Sequence, residues 1–166
     1  MQNKNIKSAY FAGGCFWGLE YYFEKLEGVK SAISGYMGGT TDNPNYRDIC
    51  TGETGHLEVV QVNYDSSIIS FDSLTKLFFE IHDPTQINGQ GPDIGSQYLS
   101  AIFYNDEEEK NISTNLIKIL EDKGLKVATK LISAQEHKFF EAEEYHQDYY
   151  FKHNKRPYCH AYQKRF

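Results

Sequence analysis

The run Gly13-Gly14-Cys15-Phe16-Trp17-Gly18 constrains this chain more than any other stretch, because it dictates a turn and so the first supersecondary unit. Ser8 to Ala12 before it reads as a short strand, and Leu19 to Leu26 after it as a helix. Cys15 is therefore expected where a glycine-lined turn opens a helix. Unsatisfied N–H groups and the positive end of the macrodipole favour an anion there. A thiol in that setting ionises readily, and the thiolate is the reactive form. The alternative is an inert, small, buried turn residue.

Further along, Val29 to Ser34 suggests a second strand, broken by Gly35-Tyr36-Met37-Gly38-Gly39. Thr40 to Thr54 is a polar loop with a turn signal at Asp42-Asn43-Pro44-Asn45. Leu57 to Tyr64 alternates like a half-buried strand, with either Val59 or Val60 in its apolar set. Ser70 to Ser73 opens a helix whose stripe is Leu74, Leu77, Phe78 and Ile81. Asp83 to Gln97 has polar side chains, two Pro, three Gly and no period, which marks a functional loop. Tyr98 to Tyr104 reads as a strand. Asn105 to Glu109 caps a helix to about Asp122, with Ile112, Leu116, Ile119 and Leu120 buried. Lys126 to Ile132 is a further strand, and Glu136 to Phe151 one or two aromatic-rich helices. The order predicts an α+β fold: a two-layer sandwich on a ferredoxin-like plait, with long functional loops and a coiled C-terminal tail.

A length of 166 residues points to one domain, 1–166, with 152–166 as a basic tail containing Pro157 and free to swing. A formal charge of −6 gives nothing to attract nucleic acid. No apolar stretch approaches the ~18 residues of a membrane span, and Met1 to Lys7 lacks a signal-peptide core. The expected setting is the cytoplasm, where cysteine pairs are redox-active or catalytic rather than structural. The metal expectation is none: Cys159 and His160 lack two further ligands for zinc. No phosphate-cradling motif is present.

Gly-Cys-Phe-Trp-Gly resembles the signature of the peptide methionine sulfoxide reductase A family. The blocks at 35–39, 43–46, 54–60, 82–86, 90–98 and 142–147 are similar to the same family in the same order. The resemblance implies that Cys15 is the nucleophile and that Phe16 and Trp17 wall an apolar pocket for the substrate methyl. It also implies that Tyr46, Glu58, Asp93 and Tyr98 hold the sulfoxide oxygen and its proton.

That residue set suits the chemistry. A sulfoxide sulfur is electrophilic but its oxygen leaves badly, so reduction needs a soft nucleophile and a proton. Cys15 supplies the first. A protonated Glu58 supplies the second, if burial beside the aromatics disfavours its carboxylate. The hydroxyls of Tyr46 and Tyr98 add neutral donors. Attack leaves a sulfenic acid on Cys15, which condenses with a second thiol. Cys159 and Cys50 are the candidates. Many family members carry a recycling cysteine in the C-terminal tail, which favours Cys159. Here Arg156-Pro157-Tyr158-Cys159-His160 stands where many members have a glycine-rich stretch. The family implies S-epimer selectivity, no cofactor beyond thioredoxin or dithiothreitol as reductant, and methionine sulfoxide in peptides and proteins as substrate; a monomer is the expected assembly. Two other classes compete. One is a Cys-dependent hydrolase using Cys15 with His56 or His146. The other is a non-catalytic aromatic binding module.

Overall fold

The computed structural model describes residues 5–155 and 160–166. In chain order its elements are β1 (Ile6–Gly13), α1 (Phe16–Glu24), β2 (Val29–Met37), α2 (Tyr46–Cys50), β3 (Leu57–Asp65), α3 (Phe71–Ile81), β4 (Gly89–Gln90), β5 (Asp93–Ile94), β6 (Ser100–Tyr104), α4 (Glu107–Asp122), β7 (Lys130–Ser133), β8 (Phe140–Glu141) and α5 (Tyr149–Lys152). Short 3-10 turns occupy Ser96–Tyr98, Ala134–Glu136 and Glu144–His146. The main sheet runs β7-β6-β1-β3-β2-β8, and β4 and β5 form a separate small hairpin. β7 lies parallel to β6. The other pairings of the main sheet are antiparallel. No helix among the described residues is long and apolar enough to cross a membrane.

Helix starts follow their capping side chains. Ser70 accepts from the Ser73 N–H at α3, Asp106 from Glu109 at α4, and Asn45 from Asp48 at α2. α1 is the exception. Its N-cap is Cys15, whose side chain makes no cap hydrogen bond. Gly14 precedes it at φ 93°, a left-handed conformation that only glycine adopts cheaply.

Both faces of the sheet are packed. Val60, Val62 and Tyr64 of β3 join α1, α3 and α4 in one apolar cluster. Phe11 stacks on Phe23 and Phe71 at 5.1 and 6.0 Å within it. Leu57, Val59, Met37, Ala12, Ala101 and Phe103 form a second cluster on the other face, covered by Phe139 and Ile132 rather than by a helix. Val59 and Val60 are thus both core residues, one on each face. Glu58 shares the parity of Val60, so its side chain rises on the helix side, at the N-terminus of α1.

Several sequence expectations need correction. β2 does not break at Gly35 but continues through Met37, pairing with β3 as far as Leu57. Gly35 serves a close approach instead: a Cβ there would strike the Phe139 ring and the Phe140 carbonyl. Tyr98 lies in a 3-10 turn, not in a strand. Ile119 is 42 % exposed. The inner face of α4 carries Glu109, Ser113, Leu116 and Leu120 instead.

The expected helices over 136–151 are mostly absent. Phe140 and Glu141 pair with the β2 edge, and Ala142 donates to Ser34 O at 2.9 Å. Gln147 then copies a strand partner. Its amide oxygen accepts from Ser34 N, and its NH₂ donates to Ser34 O, both at 2.9 Å. The open backbone of a sheet edge outcompetes weak local helix preference. The tail differs too. Residues 160–166 have no regular structure, yet they are fastened: Gln163 N donates to Glu80 O and Arg165 Nε to Phe79 O, each at 2.7 Å.

Candidate active site

β1 delivers Gly13 to the turn, α1 begins just beyond it, and β3 crosses beneath. Cys15 is 7 % exposed and Glu58 1 %. The Phe16 N–H, first of the helix, donates to Glu58 Oε1 at 3.3 Å. The thiol-bearing residue and the buried carboxyl therefore meet at one helix end, where the dipole favours negative charge. Behind the turn, Gln90 packs on Gly14, where a Cβ would lie 2.5 Å from the Gln90 Cβ. Gln90 is held in turn by Asp83, through its N–H at 2.7 Å and its carbonyl at 2.9 Å.

Phe16 and Trp17 begin an aromatic wall. The Phe16 ring contacts Tyr36 at 5.7 Å and His146 at 5.1 Å. Trp17 stacks flat on Tyr149 at 3.7 Å, and its indole N–H donates to His146 Nδ1 at 3.0 Å. Tyr46 lies 4.6 Å from the His146 ring. Glu143 ties these parts together, accepting from the Tyr36 hydroxyl (3.0 Å), the Tyr46 N–H (3.2 Å) and the Tyr145 hydroxyl (3.0 Å). Its own carboxyl sits below the usual range, because these hydrogen bonds outweigh desolvation, the largest cause, which acts the other way. Burial holds His146 low, so the ring stays neutral and accepts the indole proton.

The two tyrosines named from sequence meet over Glu58. The Tyr46 and Tyr98 side chains are close enough to influence each other's ionisation, and Cys50 lies beside Tyr46. Burial, then the nearby charges of Glu58, Asp93 and Cys15, push Tyr98 far above its ordinary pKa. Burial, then Glu58, does the same to Tyr46. Both keep their protons and stay neutral donors. Asp93 reaches this group from the small β4–β5 hairpin. The structure thus assembles Cys15, Phe16, Trp17, Tyr46, Glu58, Asp93 and Tyr98 around the start of α1. Cys159 lies outside the described residues. Cys50 is exposed, at the end of α2.

Tyr149 carries no sequence signal, whereas Gln90 and Glu143 fall within the blocks at 90–98 and 142–147 without a role of their own assigned there. Each acts by holding another residue. His146 packs at the site, against Phe16, Trp17 and Tyr46. Among the described residues, Glu20, Glu24 and Asp148 bring carboxylate oxygens within 4.8 Å of one another. Glu20 already accepts from Ser34 Oγ and the Asp148 N–H, so this cluster belongs to the packing of α1.

Comparison with known proteins completes the picture. Residues 7–166 match the family described as peptide methionine sulfoxide reductase. The chain is 51 % identical over 155 residues to "Peptide methionine sulfoxide reductase MsrA" of Sulfolobus acidocaldarius, covering 93 % of this chain and 87 % of that one. It superposes on crystalline Mxr1 of Saccharomyces cerevisiae in reduced form with a TM-score of 0.87 and 35 % identity, covering 99 % and 95 % of the two chains. For the same yeast protein in complex with Trx2 the TM-score is 0.63, with 25 % identity over 98 % and 93 % of the chains.

Proposed function

The chain belongs to the peptide methionine sulfoxide reductase family, and from that premise we propose how its residues divide the work. It is an oxidoreductase that reduces methionine sulfoxide to methionine. The Cys15 thiolate attacks the sulfoxide sulfur from the end of α1. Glu58 delivers a proton to the oxygen, while the Tyr46 and Tyr98 hydroxyls steady the developing charge. Oxygen passes to sulfur: Cys15 becomes a sulfenic acid, and the substrate sulfur, two electrons richer, leaves as methionine. Phe16 and Trp17 enclose the substrate methyl, and Asp93 supports the Tyr98 side of the oxygen site. The Cys159 thiol then displaces the sulfenic oxygen as water, and thioredoxin reduces the resulting disulfide. The complex of the yeast relative with Trx2 supports that last step.

We take residues 1–166 as one monomeric catalytic unit, working without a prosthetic group in the reducing cytoplasm and selective for the S epimer. The strand order β6-β1-β3-β2, interleaved with α1 and α3, supports the plait topology.

The observation that carries this reading is the Phe16 N–H to Glu58 bond, which joins nucleophile and acid at one helix end. The two histidines that the hydrolase alternative would use are engaged elsewhere through the ring nitrogens that follow. His56 spends Nδ1 on Gly39 N and Nε2 on Thr41 O, and His146 spends Nδ1 on Trp17.

The test is methionine formation from separated S and R epimers of a blocked methionine sulfoxide, with dithiothreitol. We expect conversion of the S epimer alone, lost in Cys15→Ser. Conversion of neither epimer by folded, reduced protein would return the hydrolase and binding readings to the front.

A further inference from the structure

His146 is 1 % exposed, and its two ring nitrogens stand in different situations. Nδ1 accepts the indole N–H of Trp17 at 3.0 Å, so it carries the lone pair and the ring proton sits on Nε2. Among the described residues nothing accepts that Nε2–H. Glu143 Oε2 stands 3.7 Å away, short of a hydrogen bond. Native proteins rarely leave a buried donor in that state. The ring is also firmly seated. Tyr145, Tyr46 and Phe16 pack on it at 4.0, 4.6 and 5.1 Å. The next residue in the chain, Gln147, is fastened to Ser34 on the edge of β2. His146 is thus the fixed partner, and the indole, stacked on Tyr149 at 3.7 Å, takes its orientation from it.

We propose that His146 is a positioning residue for the substrate methyl: its Nδ1 lone pair sets the plane of Trp17, and a proton on Nδ1 releases the indole and pairs the ring with Glu143. This inference rests on Trp17 walling the substrate pocket. The geometry defines both states. In the neutral state a lone pair meets an N–H. With Nδ1 protonated, two N–H groups face each other across the same 3.0 Å, and no hydrogen bond joins them. The imidazolium gains an ion partner instead, the Glu143 carboxylate 3.7 Å from Nε2. The titratable groups around the ring are Tyr46 from α2, and Tyr145 and Glu143 from its own turn. α1 contributes Phe16 and Trp17, which do not ionise, and Tyr36 of β2 bonds to Glu143 rather than to the ring. Burial, the larger effect, disfavours the imidazolium, and the charge of Glu143 opposes it. The neutral state therefore holds at neutral pH, and release belongs below pH 6.5.

The single tryptophan gives one indole N–H resonance in isotope-labelled protein. As the reduced wild type is taken below pH 6.5, we expect this resonance to move upfield in a one-proton transition while the protein stays folded. In the first turnover without reductant, the same transition should raise the methionine sulfoxide concentration for half-maximal rate about tenfold. Protonation of Cys15 acts on the maximal rate instead. His146→Asn places an amide oxygen where Nδ1 stands and does not titrate. It should abolish both transitions and recover most of the neutral wild-type half-saturation. His146→Leu, with no acceptor, should raise half-saturation about tenfold at every pH. Glu143→Gln removes the charge that favours the imidazolium and should move the resonance transition to lower pH. A resonance that stays in place until the protein unfolds would overturn the proposal, as would a transition that survives in His146→Asn. Trp17→Ala distinguishes the underlying reading. If its half-saturation is that of wild type, Trp17 leaves the pocket and the reading itself fails. If Trp17→Ala raises half-saturation while His146→Leu does not, only the positioning role fails.

Discussion

Glu58 occupies a position where a solvent-facing carboxylate would be the ordinary outcome of strand alternation. It is instead sealed under α1, bonded to the residue after Cys15. On the proposed mechanism, in which Glu58 delivers the proton, its loss should affect turnover rather than binding. Glu58→Gln keeps the shape and removes the transferable proton. We expect kcat to fall about 10²–10⁴-fold, with KM close to wild type and the thermal midpoint no lower. A variant with normal kcat and raised KM would remove Glu58 from proton transfer and make it a binding residue. The sequence hides this placement because the alternation of β3 fixes which residues share a face but not what covers each one. The motif around Glu58 marks it by resemblance, whereas packing against α1 gives the physical reason. His146 and Glu143 show the same limit: a hydrogen bond to Trp17 or to the Tyr46 backbone leaves no trace in spacing.

At the scale of elements, α1 is held to the segment around Asp148 by carboxyl groups. Burial pushes Glu20 up to about 8, and burial with repulsion from Asp148 pushes Glu24 up to about 9. In the unfolded chain both titrate near 4.5. Between these limits the native state binds more protons than the unfolded one, so stability falls as pH rises from 4.5 through 8 to 9. Glu24→Gln removes one of these groups without adding charge. Its urea midpoint should exceed wild type at pH 9, with the advantage shrinking to nothing below about pH 4.5. Equal midpoints at pH 9 would show that Glu24 ionises there without strain. The helices themselves were legible where caps and apolar stripes coincide, as at α3 and α4. The segment 136–151 was not, because its structure is decided by the vacant edge of β2, which local residues cannot reveal. Ile119 misled for a related reason. It fits a helical stripe, but the inner face of α4 is completed by Glu109 and Ser113, whose polar atoms bond to Asn105 and within the helix.

In the whole molecule, one face of the sheet carries helices and forms the foundation. The other is covered by irregular chain, and the residues around Cys15 are drawn from six separate stretches. The sequence announced those stretches as blocks but not their meeting point, since β1, β3 and α1 converge only through long-range pairing. The single tryptophan is a product of that convergence. Trp17 is pressed against Tyr149 and tied to His146, both from the C-terminal quarter of the chain. All indole emission therefore originates at Trp17, which the proposed mechanism places at the wall of the substrate pocket, and on that reading the protein carries its own optical gauge of that wall. Methionine sulfoxide added to Cys15→Ser, which binds without turning over, should change emission intensity in a saturable way. An unchanged spectrum at saturating substrate would place Trp17 outside the pocket. With a response, the filling and emptying of the pocket can be followed as light, in unlabelled protein, through each cycle of repair.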